Sequence, residues 1–270
     1  MAKAGTTFLD FNYLDTLASR NTTISHLDAR AKVLVTILFV ITTVSFGKYE
    51  VSSLLPLFLF PAVIISRGEL PFLYLAKKIL LLLPFAFFVG IFNPLFDTEA
   101  ILHAGPLVIS GGWISFFSIL VRFTLTVGAA LILIATTGFG DVCMALEKLG
   151  LPQVFAVQLL FLHRYIFVLA EEGTRMVRAR ELRSFGNRGK ELKVFGNIIG
   201  HLLLRTWERA QRIHTAMLCR GFRGEFHFTR PLKAGKREAV FIFGWVSFFI
   251  LCRTINIPAF LGGIIKEVLR

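Results

Sequence analysis

The chain has 270 residues, 55% hydrophobic and only 17% charged, with a mean hydropathy of +0.68. A water-soluble domain of this length needs nearer a quarter charged residues to wet its surface, so this composition requires lipid as solvent. The net charge of +13 would suggest nucleic acid in a soluble protein. No aromatic-plus-basic module or zinc knuckle accompanies it, and cytoplasmic segments of membrane proteins gather Lys and Arg.

The opening MAKAGTTFLDFNYLD has no apolar run before a cleavage site, so no removable signal peptide is expected. A span needs about 20 mostly apolar residues. The predicted spans lie at about 31–47, 51–66, 79–96 and 113–137, with a last one starting at about 239. The fourth carries an intramembrane charge, Arg122, which must face protein rather than lipid. The segment 97–112 holds Asp97 and Glu99 but no Lys or Arg, whereas 67–78 holds Arg67, Lys77 and Lys78. The positive-inside rule therefore puts 97–112 outside and 67–78 inside. Counting from there, the N-terminus and residues 138–238 are cytoplasmic, and the C-terminus lies outside.

Residues 171–238 hold 16 Lys and Arg against 7 Asp and Glu. The stretch 151–170 is apolar enough to span, but a crossing there would put this basic segment outside. It also carries Gln153, Gln158, His163 and Arg164, and reads as a helix at the cytoplasmic membrane face. Two amphipathic patterns follow. One runs through Leu162, Ile166, Leu169, Gly173 and Met176. The other runs through Phe195, Ile199, Leu202, Thr206, Ala210, Ile213 and Met217. Between them, Gly186, Asn187 and Gly189 supply turn chemistry. The chain is thus all-α: a membrane domain over 1–137, a cytoplasmic domain over 138–238, and a last span with its tail over 239–270.

The two amphipathic helices end alike, Ala179 to Phe185 matching Ala216 to Phe222 as A-x-x-x-R-[small]-F. Ala and Arg at i and i+4 share a helix face. The small residue permits close approach of a partner, and Arg183 or Arg220 offers a rigid, permanently charged fork for a carboxylate. Each Arg also suits the negative end of its own helix dipole, and Gly221 suits a helix stop. One such end is explained by capping alone; two on consecutive helices leave capping and docking both open.

Catalytic signatures are missing. Gly189-Lys190 is followed by Glu191 rather than Ser or Thr, so there is no phosphate-binding loop, and no H-E-x-x-H, C-x-x-C or G-x-S-x-G occurs. Three scattered cysteines and six scattered histidines make neither a disulfide framework nor a metal site.

Four separated motifs occur in order. They are His26-Leu27-Asp28-Ala29-Arg30-Ala31-Lys32, then Ala135-Thr136-Thr137, then Ala145-Leu146 through Leu149-Gly150-Leu151-Pro152, then His163-Arg164-Tyr165-Ile166. With the two Arg ends, they resemble the transmembrane T component of energy-coupling-factor (ECF) ABC transporters, in its cobalt-type CbiQ group. Position 29 is Ala where that family usually has Pro, His26 is out of register with the family's His, and Ser184 stands where the second end has Gly221.

The resemblance implies about five spans and a cytoplasmic coupling domain of long crossed helices whose ends sit on two ATP-binding-cassette (CbiO-like) ATPases. Ala179, Arg180, Arg183, Ser184, Ala216, Arg220 and Gly221 would then form the ATPase contact. Asp28, Arg30, Lys32, Arg164 and Tyr165 would be structural motif residues. The chain would be a non-enzymatic subunit of the prokaryotic inner membrane, with no catalytic residue, metal ligand or cofactor of its own. ATP would be bound by the ATPases, and cobalt or nickel by a CbiM-like membrane subunit with a small CbiN-like accessory. Besides the lipid bilayer these are the implied partners, and nucleic acid is not among them. A vitamin importer of the same class is the alternative. A membrane enzyme using Arg122 or His103 is the more distant one, and it would need converging acid and base groups that the spans do not contain.

Overall fold

The computed structural model describes residues 15–20, 22, 24–96, 100–104, 107–183, 191–222, 224 and 235–254. The chain divides into two compact units, one of residues 13–145 with 232–270, the other of residues 146–231 with 1–12.

In the first unit, α1 (Ala29–Ser45) opens at Asp28, whose carboxylate accepts the Arg30 backbone N–H at 2.9 Å, a side-chain cap for an orphan donor of the first turn. The predicted span 51–66 is helical but broken. It consists of α2 (Val51–Leu54), a 3-10 turn (Leu55–Phe58) and α3 (Leu59–Arg67). Pro56 has no N–H to give the ladder, and the tighter turn absorbs that loss.

Next, α4 (Phe72–Gly90) starts earlier and ends earlier than the predicted 79–96. Lys77 and Lys78 ended the apolar window in sequence, yet they sit inside the helix, and the Lys78 ammonium lies 5.6 Å from the Tyr74 ring centroid. Long aliphatic stems let lysine continue a helix while its head reaches polar surroundings. Of the nineteen residues of α4 only Leu75, Ala86 and Gly90 are buried. An apolar helix so little covered by its own chain is one for lipid.

A short helix, α5 (Asn93–Phe96), leads into the hairpin β1 (Ala100–Ala104) and β2 (Leu107–Ser110), paired antiparallel with Ala104 opposite Leu107. This hairpin is an addition to the predicted all-helical plan, in a segment of two short apolar runs, AILHA and LVIS, either side of Gly105-Pro106. Apart from it, the regular structure of the described residues is helical.

The hub is α6 (Gly111–Thr137), about 40 Å long at 1.5 Å per residue. It packs on α1 and α4. Its buried residues are mostly small: Gly111, Gly112, Ser115, Ser118, Gly128, Ala129 and Ala135. In lipid the hydrophobic effect does not distinguish buried from lipid-facing side chains, so close van der Waals packing carries association, and small residues permit it. The hydroxyls of Thr36, Thr43, Thr124 and Thr136 each return to the carbonyl four residues back at 2.8 Å, so none needs water.

Last in this unit, α10 (Lys236–Thr254) closes an aromatic centre with α1 and α3. Phe39 and Phe60 stack at 4.6 Å, Trp245 meets Phe60 edge-on at 4.9 Å, and Phe249 lies 5.5 Å from Phe39. Trp245 is therefore a packing residue here, although its type favours the membrane interface.

Between the units runs α7 (Phe139–Lys148), with Cys143 and Ala145 buried. The first compact unit thus continues to 145, beyond the predicted boundary at 137. The second unit contains α8 (Gln153–Arg183) and α9 (Glu191–Cys219). Among the described residues α4, α6 and α8 are long and apolar enough to cross a membrane, and 51–67 is a shorter apolar stretch. This is an all-α integral membrane protein.

Candidate partner-docking site on the helical pair

The turn between α7 and α8 shows how this chain stops helices. Gly150, at φ +116, follows α7, with Leu151 N–H bonded to Leu146 O at 3.0 Å and Gly150 N–H to Glu147 O at 3.1 Å. Pro152 then precedes α8. This is a Schellman stop, built from the Leu149-Gly150-Leu151-Pro152 motif.

The helices α8 and α9 run antiparallel where they meet. Gly173 faces Leu202, 3.6 Å from the position a Cβ would take. Beside it, Glu172 accepts from Arg205 at 2.7 Å and lies 3.8 Å from Arg209. Toward the start of α8 and the end of α9 the pair opens into an apolar groove of about 400 Å³. Its walls include Phe161, Tyr165 and Leu169 on one side and Trp207, Ile213 and Met217 on the other.

The observed stripes differ in part from the predicted ones. Leu169, Gly173 and Met176 face inward, but Leu162 and Ile166 are exposed, and Phe161 and Tyr165 take their place. In α9, Leu202, Thr206, Ile213 and Met217 are half-buried, with Arg209 in the stripe, while Phe195 and Ile199 are exposed. A 3.6-residue period drifts around a straight helix over several turns, so one unbroken 4-3-4-3 reading misplaces its far end.

Arg220 follows α9 directly. Gly221 has φ +80, Phe222 N–H bonds Met217 O at 3.0 Å, and Gly221 N–H bonds Leu218 O at 2.9 Å. Both bonds of a Schellman motif are present, and the Phe222 and Met217 side chains both line the groove, which is the apolar contact that accompanies such a stop. Ala216, Arg220 and Gly221 are all exposed, as is Leu218.

On α8, Ala179 and Arg183 are exposed, Arg180 is half-buried, and Leu182 is exposed beside Arg183. Ser184 and the predicted turn at 186–189 lie outside the described residues. Each helix end therefore presents a small residue, a guanidinium and a leucine that its own unit leaves uncovered. Arg183 lies about 15 Å beyond Gly173 along α8. Arg220 lies about 27 Å beyond Leu202 in the opposite direction. The two ends therefore lie on opposite sides of the meeting point of one antiparallel pair.

Of the remaining motif residues, Arg164 is exposed, its guanidinium 5.9 Å from the Tyr165 ring, and Tyr165 stacks on Phe161 in the groove wall. The N-terminal motif lies in the other unit. Lys32 is 6% exposed and donates to the Thr136 carbonyl at 3.1 Å. This joins the Asp28–Lys32 motif to Ala135–Thr137, two motifs about a hundred residues apart in sequence. Sequence reasoning missed this bond; the available signal was a lysine one turn inside an apolar helix. Arg122 donates to the Gly47 carbonyl and faces Glu50, so it meets protein. Among the described residues no three His, Cys, Asp or Glu side chains gather as a metal site. Cys143 and Cys252 are buried and Cys219 is exposed, all three as free thiols.

The described residues thus form a helical membrane bundle and an antiparallel helical pair that bears two matched cationic ends. The chain belongs to the CbiQ family of cobalt transport proteins, which matches residues 20–229. It is 25% identical over 250 residues to the protein MJ1089 of Methanocaldococcus jannaschii, covering 84% of this chain and 86% of that one. It is 32% identical over 125 residues to a putative fused cobalt transport protein CbiMQ of Methanocorpusculum labreanum, covering 43% of this chain and 20% of that one. It is also 28% identical over 91 residues to the nickel permease LarQ of Lactiplantibacillus plantarum, covering 34% of this chain and 33% of that one.

Proposed function

We propose that this chain is the transmembrane coupling subunit of an ECF-type ABC importer for cobalt or nickel ions. It passes the movement of two partner ATPases to a separate membrane subunit that binds the ion. The observation that carries the reading is the placement of Arg183 and Arg220 on exposed ends on opposite sides of the contact of a single helical pair. One rigid body with two matched ends suits two copies of one partner. Guanidinium forks beside small residues suit acidic grooves on that partner.

The fused CbiMQ relative supports an assembly with a CbiM-like subunit, and the LarQ relative supports nickel beside cobalt. The ion belongs to the CbiM-like subunit with its CbiN-like accessory, and ATP belongs to the CbiO-like ATPases, so this chain needs neither a metal ligand nor a cofactor. In this reading five helical segments cross the prokaryotic inner membrane: α1, the broken helix at 51–67, α4, α6 and α10. The N-terminus and the basic region lie in the cytoplasm. The apolar first half of α8 rests against the membrane face, which keeps its exposed Leu162 and Ile166 in contact with lipid and the basic segment inside.

The test is affinity purification from the native membrane, comparing wild type with Arg183→Glu/Arg220→Glu. The wild-type chain carries the ATPase subunits with it, and the double variant loses them while keeping the CbiM-like subunit. Full retention of the ATPases by the double variant, with wild-type coupling of ATP turnover to transport, refutes the docking role.

A further inference from the structure

Several independent observations converge on Gly138, where α6 ends and α7 begins. Gly138 has φ +81, its N–H closes on Ile134 O at 2.8 Å, and its own carbonyl receives Val142 N–H at 3.1 Å. One left-handed residue therefore ends one helix and starts the next, and only glycine adopts it freely. The two flanking peptide groups are each held by a side chain from far away in sequence. On the α6 side, Lys32 donates to Thr136 O at 3.1 Å. On the α7 side, Asp15 accepts the Phe139 N–H at 3.2 Å, an anion at a helix N-terminus. Ala18 closes the space in front, 3.4 Å from where a Gly138 Cβ would stand.

Two carboxylates, Asp141 and Asp28, act on the Lys32 ammonium beside this corner. Yet Asp28 Oδ2, Arg30 Nε and Thr137 Oγ1 are buried without a hydrogen bond. Buried polar atoms left unpaired are costly and uncommon. Here they belong to the two motifs that the Lys32–Thr136 bond joins. Through α7 the chain leaves the membrane bundle for the unit that carries Arg183 and Arg220.

We infer that Lys32 and Asp15 are positioning residues for a pinned joint at Gly138, by which the N-terminal segment fixes how α7 leaves α6 and so how completely ATPase movement reaches the membrane bundle. This rests on the coupling role proposed above. Lys32 holds the end of α6 and Asp15 the start of α7, so the two pins act on opposite sides of the one flexible residue.

The test uses the intact transporter in liposomes, supplied with Co²⁺ or Ni²⁺, whichever the wild-type complex accumulates. Asp15→Ala should retain its ATPase subunits and hydrolyse ATP while moving several-fold fewer ions per ATP. Its Phe139 amide should exchange hydrogen about tenfold faster, the scale of losing one hydrogen bond to a charged acceptor. Asp15→Asn keeps an oxygen acceptor in place and should restore both values. Lys32→Met should lower ions per ATP in the same way. Should it not fold, the Asp15 pair decides alone. An Asp15→Ala variant with wild-type ions per ATP, or an Asp15→Asn variant that rescues nothing, overturns the joint. Phe139 exchange is measured on the chain by itself, and an unchanged rate in Asp15→Ala overturns the joint even if the ATPases prove not to be partners. Failure of the wild-type chain to carry ATPases would instead strike the coupling reading.

Discussion

Gly221 separates two demands that fall on the second helix end. Its φ of +80 lies in the left-handed region, and among the described residues nothing stands within 4 Å of the position a Cβ would take. Among the described residues it is therefore the backbone conformation that resists substitution. For Gly221→Ala that resistance is about 1–2 kcal/mol, whereas Asn visits the left-handed region more readily and costs less. One kcal/mol is about a fivefold shift in the equilibrium between closed and frayed ends. The two Schellman donors, Gly221 N–H to Leu218 O and Phe222 N–H to Met217 O, report that shift directly. Hydrogen exchange at positions 221 and 222 should quicken about fivefold or more in Gly221→Ala and about twofold or less in Gly221→Asn. Retention of the ATPase subunits then divides the causes. If the backbone shape alone matters, Asn keeps them and Ala loses them. If the partner packs against the bare Cα, both variants lose them, Asn more severely because its side chain is larger. Unchanged exchange in Gly221→Ala would refute the account of how this end is held.

At the meeting point of the pair, Gly173 has room for one methyl group, since the nearest Leu202 atom is 3.6 Å from the Cβ position. Gly173→Ala should leave thermal stability equal or raise it by about 0.5–1 kcal/mol through helix propensity, whereas Gly173→Leu should cost about 1–3 kcal/mol by overpacking; equal melting temperatures for both would show that α8 and α9 do not touch there. Burial pushes the Cys143 thiol up to about 11, so maleimide at neutral pH should label the exposed Cys219 rapidly and Cys143 only after unfolding. Because the folded value is the raised one, the stability tied to the Cys143 thiol is complete below the ordinary thiol range and is lost as pH rises through about 11. A Cys143 labelling rate equal to that of Cys219 would contradict the burial.

Hydropathy located the apolar helices because a lipid-facing helix such as α4 must be apolar on nearly every side. It misplaced the ends of that helix because it scores Lys77 and Lys78 as breaks, although their backbones are ordinary helix. It could not see the interruption at 55–58, where proline chemistry rather than polarity changes the turn. The docking ends were legible for another reason. A motif confined to five consecutive residues at a helix end carries its own geometry, so Ala216 in the last turn and Arg220 just after it stay together wherever the helix goes. What the motif does not contain is the relation between the two ends, which depends on the antiparallel register set by Gly173, Leu202 and Glu172.

Two cations at the contact of α1 with α6 show the same limit from the other side. Sequence marks Arg122 as a charge that must meet protein, and Lys32 only as a motif residue. The partners found are backbone carbonyls. Lys32 of α1 binds Thr136 O in the last turn of α6, and Arg122 of α6 binds Gly47 O just past the end of α1. Helix C-termini leave carbonyls unbonded and carry the negative end of the dipole. Two antiparallel helices place each such end beside the other's body, so each helix supplies the cation that the other's terminus lacks. Glu50 and Asp141 then act on those cations electrostatically. The arrangement makes the α1–α6 contact depend on a single register: a shift by one turn, about 5.4 Å, would strand both charges among apolar side chains at once. A lysine and an arginine that look like liabilities for crossing lipid thereby become what fixes the core of the bundle.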